Sequence, residues 1–334
     1  MSSMPTLQAE RVWLAPMSGS TDAAFRRQAV KFGAEAVVSE MVAGDALRHA
    51  RADVVRRICR HEGRGRWIVQ LAARRPEDMQ AAAAFLADMG VDQIDINMGC
   101  PARQVTGGRS GSALMREPEL ATEIMKAALS GAAHVPVSVK MRLGWDHADL
   151  NAPQLARIAQ DLGLVMVTLH GRTRCQFYKG EADWSAIAET AQAIELPVIA
   201  NGDISSVETA RQALSDSSAY GVMLGRGAMG RPWLLGEVSA ALAGRSYQAP
   251  SRTEQFESLI EQIEDSLSLY GAELGLRIVR KHIAAVIDHL ELGIDDSEKR
   301  VLRGSLCRLT DVVRLKEDLD YVFFGIGAQL ERAA

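Results

Sequence analysis

A cysteine lies at the point where one predicted strand ends. Residues 92–98 alternate polar and apolar side chains, as a half-buried strand does, and the alternation stops at Gly99, Cys100 and Pro101. Cys100 is therefore predicted on a sharp turn at the carboxyl end of a strand, where α/β barrels carry their chemistry. The loop that follows, from Arg103 to Gly111, is rich in glycine and arginine, which is typical of a mobile lid over a site.

Polar residues follow the other predicted strands at the same point. One such residue has an ordinary explanation as a hydrogen-bonded core group, but recurrence at the same end of eight successive strands indicates a common ligand or water. The residues are Pro16-Met17-Ser18, Glu40, Gln70, Asn97, Lys140 with Arg142, His170, Asn201-Gly202-Asp203 and Gly225-Arg226-Gly227.

The last two of these segments predict a phosphate site. Residues 201–203 and 225–227 each lead into a helix start, where backbone N–H groups and the helix dipole attract an anion. Many barrels hold a cofactor phosphate at this place. Arg226 adds a charge-assisted donor.

Two chemistries are consistent with these residues. Lys140 could form a Schiff base in an aldolase that acts on a phosphorylated substrate. Alternatively, Gln70, Lys140 and the backbone of Pro16 and Met17 could surround a flavin ring, with Lys140 stabilising negative charge on the reduced ring. Cys100 favours the flavin, because a free thiol with a pKa near 8.5 is mostly protonated at neutral pH and can donate a proton beside a hydride donor.

A repeating strand–helix pattern must position these residues. Eight short β-type runs with amphipathic helical stretches between them predict a TIM (β/α)8 barrel, of class α/β. A doubly wound open sheet is the alternative, but residues 17–21 do not supply its glycine-rich turn. The predicted strands are Val12–Met17, Ala36–Met41, Trp67–Ala72, Gln93–Met98, Val137–Leu143, Val165–His170, Pro197–Asn201 and Tyr220–Gly225, and the helical stretches include Pro76–Met89, Glu119–Leu129, Gln154–Leu162 and Val207–Leu214.

The pattern changes after Ala249-Pro250-Ser251. Three long helical patterns follow, Glu254–Leu269, Leu274–Leu292 and one from Ser297 to Leu315 or beyond. They predict a small helical bundle after the barrel. The expected domains are therefore residues 1–245, a barrel that holds the cofactor, and residues 250–334, a helical unit.

Composition limits the class of protein. A chain of 334 residues with 47% hydrophobic and 24% charged residues suits a barrel with a small extra unit. The absence of a membrane-length apolar run and of a signal peptide predicts a cytoplasmic protein without membrane contact. Four scattered cysteines with no CxxC pair suggest neither a metal site nor disulfides.

Charge is informative through its distribution. A net charge of −4 by itself argues against nucleic acid. Basic residues nevertheless cluster in residues 48–75, 172–174, 277–282 and 299–308, while acidic residues concentrate in residues 254–265. For any single cluster, a solvated helix face with ion pairs remains the ordinary interpretation.

Taken together, these blocks resemble the tRNA-dihydrouridine synthase family, most of all its bacterial B-type branch. The similarity covers the whole barrel in order, and residues 278–282 (Ile-Val-Arg-Lys-His) extend it into the tail. The matching blocks are residues 15–19, 37–41, 69–72, 95–102, 111–115, 139–145, 169–174, 198–204 and 224–233.

The resemblance implies FMN as cofactor, NADPH as electron source and uridine in tRNA as substrate. It implies that reduced FMN passes hydride to C6 of a flipped-out uridine and that Cys100 protonates C5. No obligate protein partner is evident. The residues implied to hold FMN are Pro16, Met17, Ser18, Gln70, Lys140, His170, Asn201, Gly202, Asp203, Gly225 and Arg226. Asn97 and Arg142 would lie at the uracil.

Basic loops at the barrel mouth are expected to bind tRNA phosphates. They carry Arg103, Arg109, Arg172 and Arg174, and the tail would add a second surface with Arg277, Arg280, Lys281, Arg300 and Arg303. Trp145, Phe177 and Tyr178 could stack on exposed bases. Two alternatives stay open: an FMN barrel enzyme that reduces a free pyrimidine or enone, and a tRNA-binding protein that has lost catalysis.

Overall fold

Eight parallel strands close into a barrel. The computed structural model describes residues 10–107 and 110–325, without the side chains of residues 103 and 104. The barrel closes because β1 pairs with both β2 and β9, and β2 pairs with β4. The two-residue strand β3 pairs with β4 outside this ring. The strands are β1 (Val12–Leu14), β2 (Ala36–Val38), β3 (Val42–Ala43), β4 (Arg66–Ala72), β5 (Gln93–Met98), β6 (Val137–Arg142), β7 (Met166–His170), β8 (Val198–Asn201) and β9 (Gly221–Leu224).

Helices connect successive strands and surround the barrel, so the TIM barrel prediction is confirmed. In the described ranges no helix is both long and apolar enough to cross a membrane. The α-helices are α1 (Ala23–Lys31), α2 (Gly44–Arg48), α3 (Ala52–Arg57), α4 (Pro76–Asp88), α5 (Arg103–Thr106), α6 (Pro118–Ala132), α7 (Ala152–Leu162), α8 (Ser185–Ala193), α9 (Val207–Ser217), α10 (Leu234–Leu242), α11 (Arg252–Tyr270), α12 (Ala272–His289), α13 (Asp296–Leu306) and α14 (Val312–Asp320). Short 3-10 turns cover Gly111–Arg116 and Arg226–Ala228, and a π-turn covers Tyr321–Gly325.

Local sequence explains where the elements begin. Asp22 caps α1 by accepting a hydrogen bond from the N–H of Phe25 at 3.0 Å, and Ser206 caps α9 through the N–H of Thr209 at 3.1 Å. β1 ends at Leu14, three residues before the predicted end. The N–H of Ala15 still donates to the carbonyl of Leu224 at 2.7 Å, but Pro16 has no N–H to continue the ladder.

The barrel interior is divided into an apolar and a polar part. Trp13, Met166, Ile199 and Met223 fill one part together with neighbouring apolar side chains. On β5 and β6 the inward positions carry Gln93, Asp95 and Ser138 instead, all of them buried. The outward side chains of the strands pack against the helices, where each fully buried large apolar side chain stabilises the fold by about 1.5–3 kcal/mol.

The tail forms its own apolar core, in which residues of α11 to α14 and the π-turn take part. The prediction of one helix over residues 297–315 was wrong, because the chain leaves the helix after Leu306 and starts α14 anew. Asp311 caps this new helix by accepting from the N–H groups of Val313 and Arg314.

The tail is docked on α1 by ion pairs. Lys31 bonds Glu261 at 2.8 Å, and Arg27 bonds Asp265 at 2.8 Å. The buried amide of Gln28 accepts from the hydroxyl of Ser258 at 2.9 Å. Acidic residues of α11 therefore meet the basic face of α1.

Candidate active site

A cavity of about 760 Å³ opens at the carboxyl ends of the strands. Adjacent strands bring the predicted residues side by side, since Asn97 pairs in register with Lys140, and His170 with Asn201. The lining includes Pro16, Met17, Ser18, Gln70, Asn97, Cys100, Lys140, Arg142, His170, Tyr178, Asn201, Gly202, Asp203, Gly225, Arg226 and Gly227.

A second cavity, of about 890 Å³, lies between α1, the loop of residues 62–66 and Glu261. Its lining mixes Arg and Lys with Glu and contains none of the residues at the carboxyl ends of the strands. We assign the site to the smaller cavity, because in a barrel the catalytic groups gather at the carboxyl face.

Lys140 and His170 share one acceptor. The Nζ of Lys140 and the Nδ1 of His170 each lie 2.9 Å from Oδ1 of Asn201. The Nδ2 of Asn201 donates to the carbonyl of Met223 at 2.8 Å, which fixes the direction of this amide. The Nη1 of Arg172 lies 3.2 Å from Nε2 of His170. Because a guanidinium only donates, Nε2 must accept, and the proton of the neutral ring is on Nδ1.

Burial and crowding of cations set the charge state of these two side chains. Burial, followed by the charge of Arg142, lowers the pKa of Lys140 to about 8, so the ammonium is still mostly charged at neutral pH. Burial and the charges of Lys140, Arg142 and Arg172 hold the pKa of His170 well below its usual value. The cavity wall therefore carries a cation beside a neutral imidazole.

Asp203 binds two arginines. Arg172 bonds its carboxylate through Nη1 at 3.1 Å and also through Nη2, and the Nη2 of Arg226 lies 3.3 Å from Oδ1. Burial raises the pKa of Asp203, whereas the hydrogen bonds from Arg172 and from the N–H of Ala182 lower it. The hydrogen bonds have the larger combined effect, so the pKa of Asp203 lies below its usual value.

The structure does not support the prediction that Arg172 binds tRNA phosphate. Arg172 is 2% exposed, and besides Asp203 it donates to the carbonyls of Lys179 and Gly180. Its donors are used inside the protein, so it positions the loop instead. Arg226 differs, because 65% of its side chain is exposed.

The turn that carries Cys100 is held by Asn97. The Oδ1 of Asn97 accepts from the N–H groups of Gly99 at 3.2 Å and Cys100 at 3.0 Å. The carbonyl of Cys100 accepts from the hydroxyl of Ser112 at 2.9 Å. Gly111 has φ +60°, and a Cβ there would lie 2.9 Å from the carbonyl oxygen of Cys100. Cys100 is thus fixed from both sides of the loop.

Arg142 is engaged on its far side while it lines the cavity. It donates to the carbonyls of Gly99, Thr173 and Phe177 at 2.9, 2.7 and 2.8 Å. Burial lowers its pKa to about 10. Tyr178, 58% exposed at the cavity mouth, has the guanidinium of Arg142 5.6 Å from its ring centre and that of Arg226 at 5.5 Å.

Arg174 does not line the cavity. Its guanidinium packs on Trp145 at 4.5 Å and on Phe177 at 4.8 Å, and Arg116 packs on Trp145 at 4.8 Å. These stacks place positive charge on the rim, outside the cavity. Of the other two predicted loop arginines, Arg109 and the side chain of Arg103 lie outside the described residues.

Sequence reasoning missed two polar residues below the mouth, Asp95 and Ser138. Their signal was the strand period, since Asp95 shares one face of β5 with Asn97, and Ser138 shares one face of β6 with Lys140. Burial raises the pKa of Asp95, whereas hydrogen bonds from Ser138 and Gln70 lower it. Over the described ranges, no group of three or more His, Cys, Asp and Glu side chains could hold a metal ion.

A closed parallel barrel with helices around it and a polar cavity at the carboxyl ends of its strands defines the chain as a TIM-barrel protein. Within this class the chain belongs to the dihydrouridine synthase family, because the sequence model described as Dihydrouridine synthase (Dus) matches residues 13–321. The resemblance found in the sequence is thereby confirmed.

Curated relatives agree with this family. A probable tRNA-dihydrouridine synthase of Rhodobacter capsulatus is 50% identical over 274 residues, which cover 81% of this chain and 84% of the relative. One of Rickettsia conorii is 44% identical over 308 residues, covering 92% of this chain and 91% of the relative. The tRNA-dihydrouridine synthase B of Xanthomonas axonopodis pv. citri is 43% identical over 277 residues, covering 82% and 83%.

Proposed function

We propose that this protein is a tRNA-dihydrouridine synthase that reduces the C5=C6 bond of uridine in tRNA, with FMN as bound cofactor and NADPH as electron donor. The observation that carries the proposal is the family match over residues 13–321 in a chain whose Cys100 lines the barrel cavity. The names of the relatives support tRNA as the substrate. A cytoplasmic location is part of this proposal.

The donors around the cavity fit FMN. Its volume of about 760 Å³ lies within the range of small-molecule sites. At one end, the N–H groups of Arg226 and Gly227 have no hydrogen-bond acceptor among the described residues, and the exposed guanidinium of Arg226 lies beside them. A Cβ on Gly227 would lie 2.5 Å from the carbonyl oxygen of Ile204, so only glycine lets these two loops approach. This end suits the phosphate.

The remaining lining residues would hold the ring and the ribityl chain of FMN. Lys140 supplies a cation, the neutral His170 supplies a polar edge, and Gln70 supplies an amide. The full set proposed for FMN is Pro16, Met17, Ser18, Gln70, Lys140, His170, Asn201, Gly202, Asp203, Gly225 and Arg226. Asp203 contributes by orienting Arg226, because its carboxylate would repel a phosphate.

In the proposed reaction the cofactor supplies a hydride and Cys100 supplies a proton. Bound FMN, once reduced by NADPH, would supply the hydride that adds to C6 of uracil. Cys100 donates the proton to C5, so that one hydride and one proton saturate the double bond. Because Cys100 is partly exposed, solvent can return the proton afterwards. Lys140 and Arg142 place positive charge on the same wall, where it stabilises negative charge that develops during the reaction.

Uridine must leave the tRNA stack to reach this cavity, at a cost of a few kcal/mol. We propose that Asn97 and Arg142 face the extruded base and that Tyr178 stacks near it at the mouth. Arg174 would reach the RNA backbone at the rim, in a stack that Arg116 extends.

The tail would offer a further tRNA surface. In α12 and α13, Arg277 and Arg300 are exposed, whereas Arg303 pairs with Asp288 at 2.7 Å and Lys281 donates to the carbonyl of Gly19. The proposed units are the FMN-binding catalytic barrel of residues 1–245 and the helical tRNA-binding unit of residues 250–334.

Unmodified tRNA, FMN and NADPH test the proposal directly. The purified protein should carry flavin and form dihydrouridine, and free uracil should not reoxidise the reduced flavin. Cys100→Ala should keep FMN and be reduced by NADPH at close to the normal rate, while reoxidation by tRNA slows by roughly 10² to 10⁴. Cys175→Ala is the matched control, because Cys175 is exposed and does not line the cavity.

A colourless protein that binds tRNA without modifying it would contradict the proposal, and so would reoxidation by free uracil as fast as by tRNA. If Cys100→Ala is reoxidised by tRNA at the wild-type rate, another group is the acid. Comparing dihydrouridine in tRNA from a deletion strain and its parent then identifies the modified positions.

A further inference from the structure

A buried chain of hydrogen bonds links the barrel interior to the turn that carries Cys100. The Nε2 of Gln70 donates to Oδ2 of Asp95 at 2.7 Å, and the Nδ2 of Asn97 donates to Oε1 of Gln70 at 2.7 Å. The Oδ1 of Asn97 then accepts from the N–H of Cys100 at 3.0 Å. Behind Asp95, the hydroxyl of Ser138 donates to Oδ1 at 2.6 Å.

The direction of both amides is determined from the two ends of this chain. Backbone N–H groups can only donate, so the atom of Asn97 that faces Gly99 and Cys100 must be its oxygen. Its amide nitrogen must then face the oxygen of Gln70, and the nitrogen of Gln70 must face Asp95. The arrangement therefore requires an acceptor at Oδ2 of Asp95.

The direction of the two amides also determines which of their atoms are left to bind a ligand. Each primary amide has two N–H groups, and Gln70 and Asn97 each use one of them within the chain. Both residues line the cavity. The second N–H group of each amide is not used within the chain, so both residues keep a donor for acceptor atoms such as the carbonyl oxygens of a pyrimidine.

We infer that Asp95 is a positioning residue: as a buried acceptor it fixes the direction of the Gln70 and Asn97 amides and, through them, the position of Cys100. The inference rests on the proposed function for the role of Cys100 as proton donor. Without the acceptor, the N–H of Gln70 is left unpaired in the barrel interior, and rotation of its amide places two N–H groups against each other at Asn97.

Two substitutions at Asp95 separate its hydrogen bonding from its charge. In Asp95→Asn the side-chain oxygen can still accept from Gln70 while the new amide donates to Ser138, whose hydroxyl can then donate to the amide oxygen of Gln93 once that amide turns over. In Asp95→Leu the size is similar and the acceptor is lost. Both are made in a background with Cys59, Cys175 and Cys307 replaced by Ala, so that Cys100 is the single thiol.

Alkylation of Cys100 by iodoacetamide, measured against pH, reports its surroundings without any turnover. The holoenzyme also gives the rates of flavin reduction by NADPH and of reoxidation by tRNA. Asp95→Asn should keep the alkylation profile and all rates within about threefold of the parent. Asp95→Leu should shift the profile and slow reoxidation by roughly 10- to 100-fold, as expected for a misplaced catalytic group, with reduction affected much less.

The inference is overturned if Asp95→Leu behaves like the parent, or if Asp95→Asn is as impaired as Asp95→Leu, since then charge and not acceptor direction matters. Should Asp95→Leu fail to fold, Gln70→Met replaces it, because this side chain is similar in size, carries no charge and has no N–H to donate to Asp95. An unchanged alkylation profile in Gln70→Met would also overturn the inference. If tRNA reoxidises none of the proteins, including the parent, the proposed function fails, while the alkylation profiles still decide the role of Asp95.

Discussion

Acid should weaken the fold through a histidine buried between barrel and tail. His282 of α12 is 1% exposed and stacks on Phe25 of α1, with ring centres 4.7 Å apart. Burial, followed by the charge of Lys281, lowers the pKa of His282 to about 3. The folded protein therefore keeps this ring neutral at pH values where the unfolded chain protonates it.

The magnitude follows from proton linkage. With an unfolded pKa of 6.5 and a folded pKa of about 3, the unfolded state binds more protons throughout this window, so stability falls as the pH is lowered from 6.5 towards 3. At pH 5 the contribution of His282 to the free energy of unfolding should be about 2 kcal/mol lower than at pH 7, from a slope of about 1.4 kcal/mol per pH unit. His61, whose pKa burial lowers to about 4, acts in the same direction.

The contribution of His282 is isolated by comparing the free energy of unfolding in urea of the wild type and a variant at pH 7 and pH 5. His282→Gln cannot titrate, so its loss of stability between the two pH values should be about 2 kcal/mol smaller than that of the wild type, whatever its stability at pH 7. His134→Gln, at an exposed position, is the matched control and should lose as much as the wild type. An equal loss in His282→Gln and wild type would refute the reasoning, since the folded protein would then accommodate the protonated ring.

Three further predictions concern the site and the tail. Arg226→Glu places a negative charge at the proposed phosphate end and should release most of the FMN, measured as flavin absorbance per protein; full occupancy would locate the phosphate elsewhere. Gly111→Ala should lower the thermal midpoint and slow reoxidation by tRNA, because φ is +60° and the new Cβ would lie 2.7 Å from Val105; wild-type values would show that the loop adjusts. Removal of residues 250–334 should abolish most tRNA modification and also destabilise the barrel, since α11 and α12 cover α1; near-normal tRNA affinity of a folded barrel would contradict the role of the tail.

Most of the fold was predictable because strand and helix periods are local properties of the sequence. Each of the eight predicted strands overlaps an observed barrel strand, and Asp22 and Ser206, residue types that favour helix starts, cap α1 and α9. The break between α13 and α14 was missed, because apolar residues continue at helical spacing across it. Only the cap at Asp311 and packing into the tail core show where one helix ends and the next begins.

The role of the basic residues was less predictable. Arg172 and Arg226 look alike in the sequence, yet one is buried against Asp203 and the other is exposed beside it. The acidic residues of α11 were expected on a solvated face, but Glu261 and Asp265 hold the tail against the barrel. Exposure and partners of a charged side chain depend on elements far away in the chain, which no local pattern records.

The sequence by itself determined the barrel, the strand ends that meet at its mouth, and Cys100 at one of them, because parallel strands bring their carboxyl ends to one face wherever the chain crosses over. The tertiary structure decided which donors remain free at that face. In the folded barrel, Arg172 pairs with Asp203, and burial among three cations keeps His170 neutral. Hydrogen bonds connect Asp95, Gln70 and Asn97 behind the turn that carries Cys100. These outcomes depend on distances between strands that are 25 or more residues apart, so they are fixed only when the barrel closes.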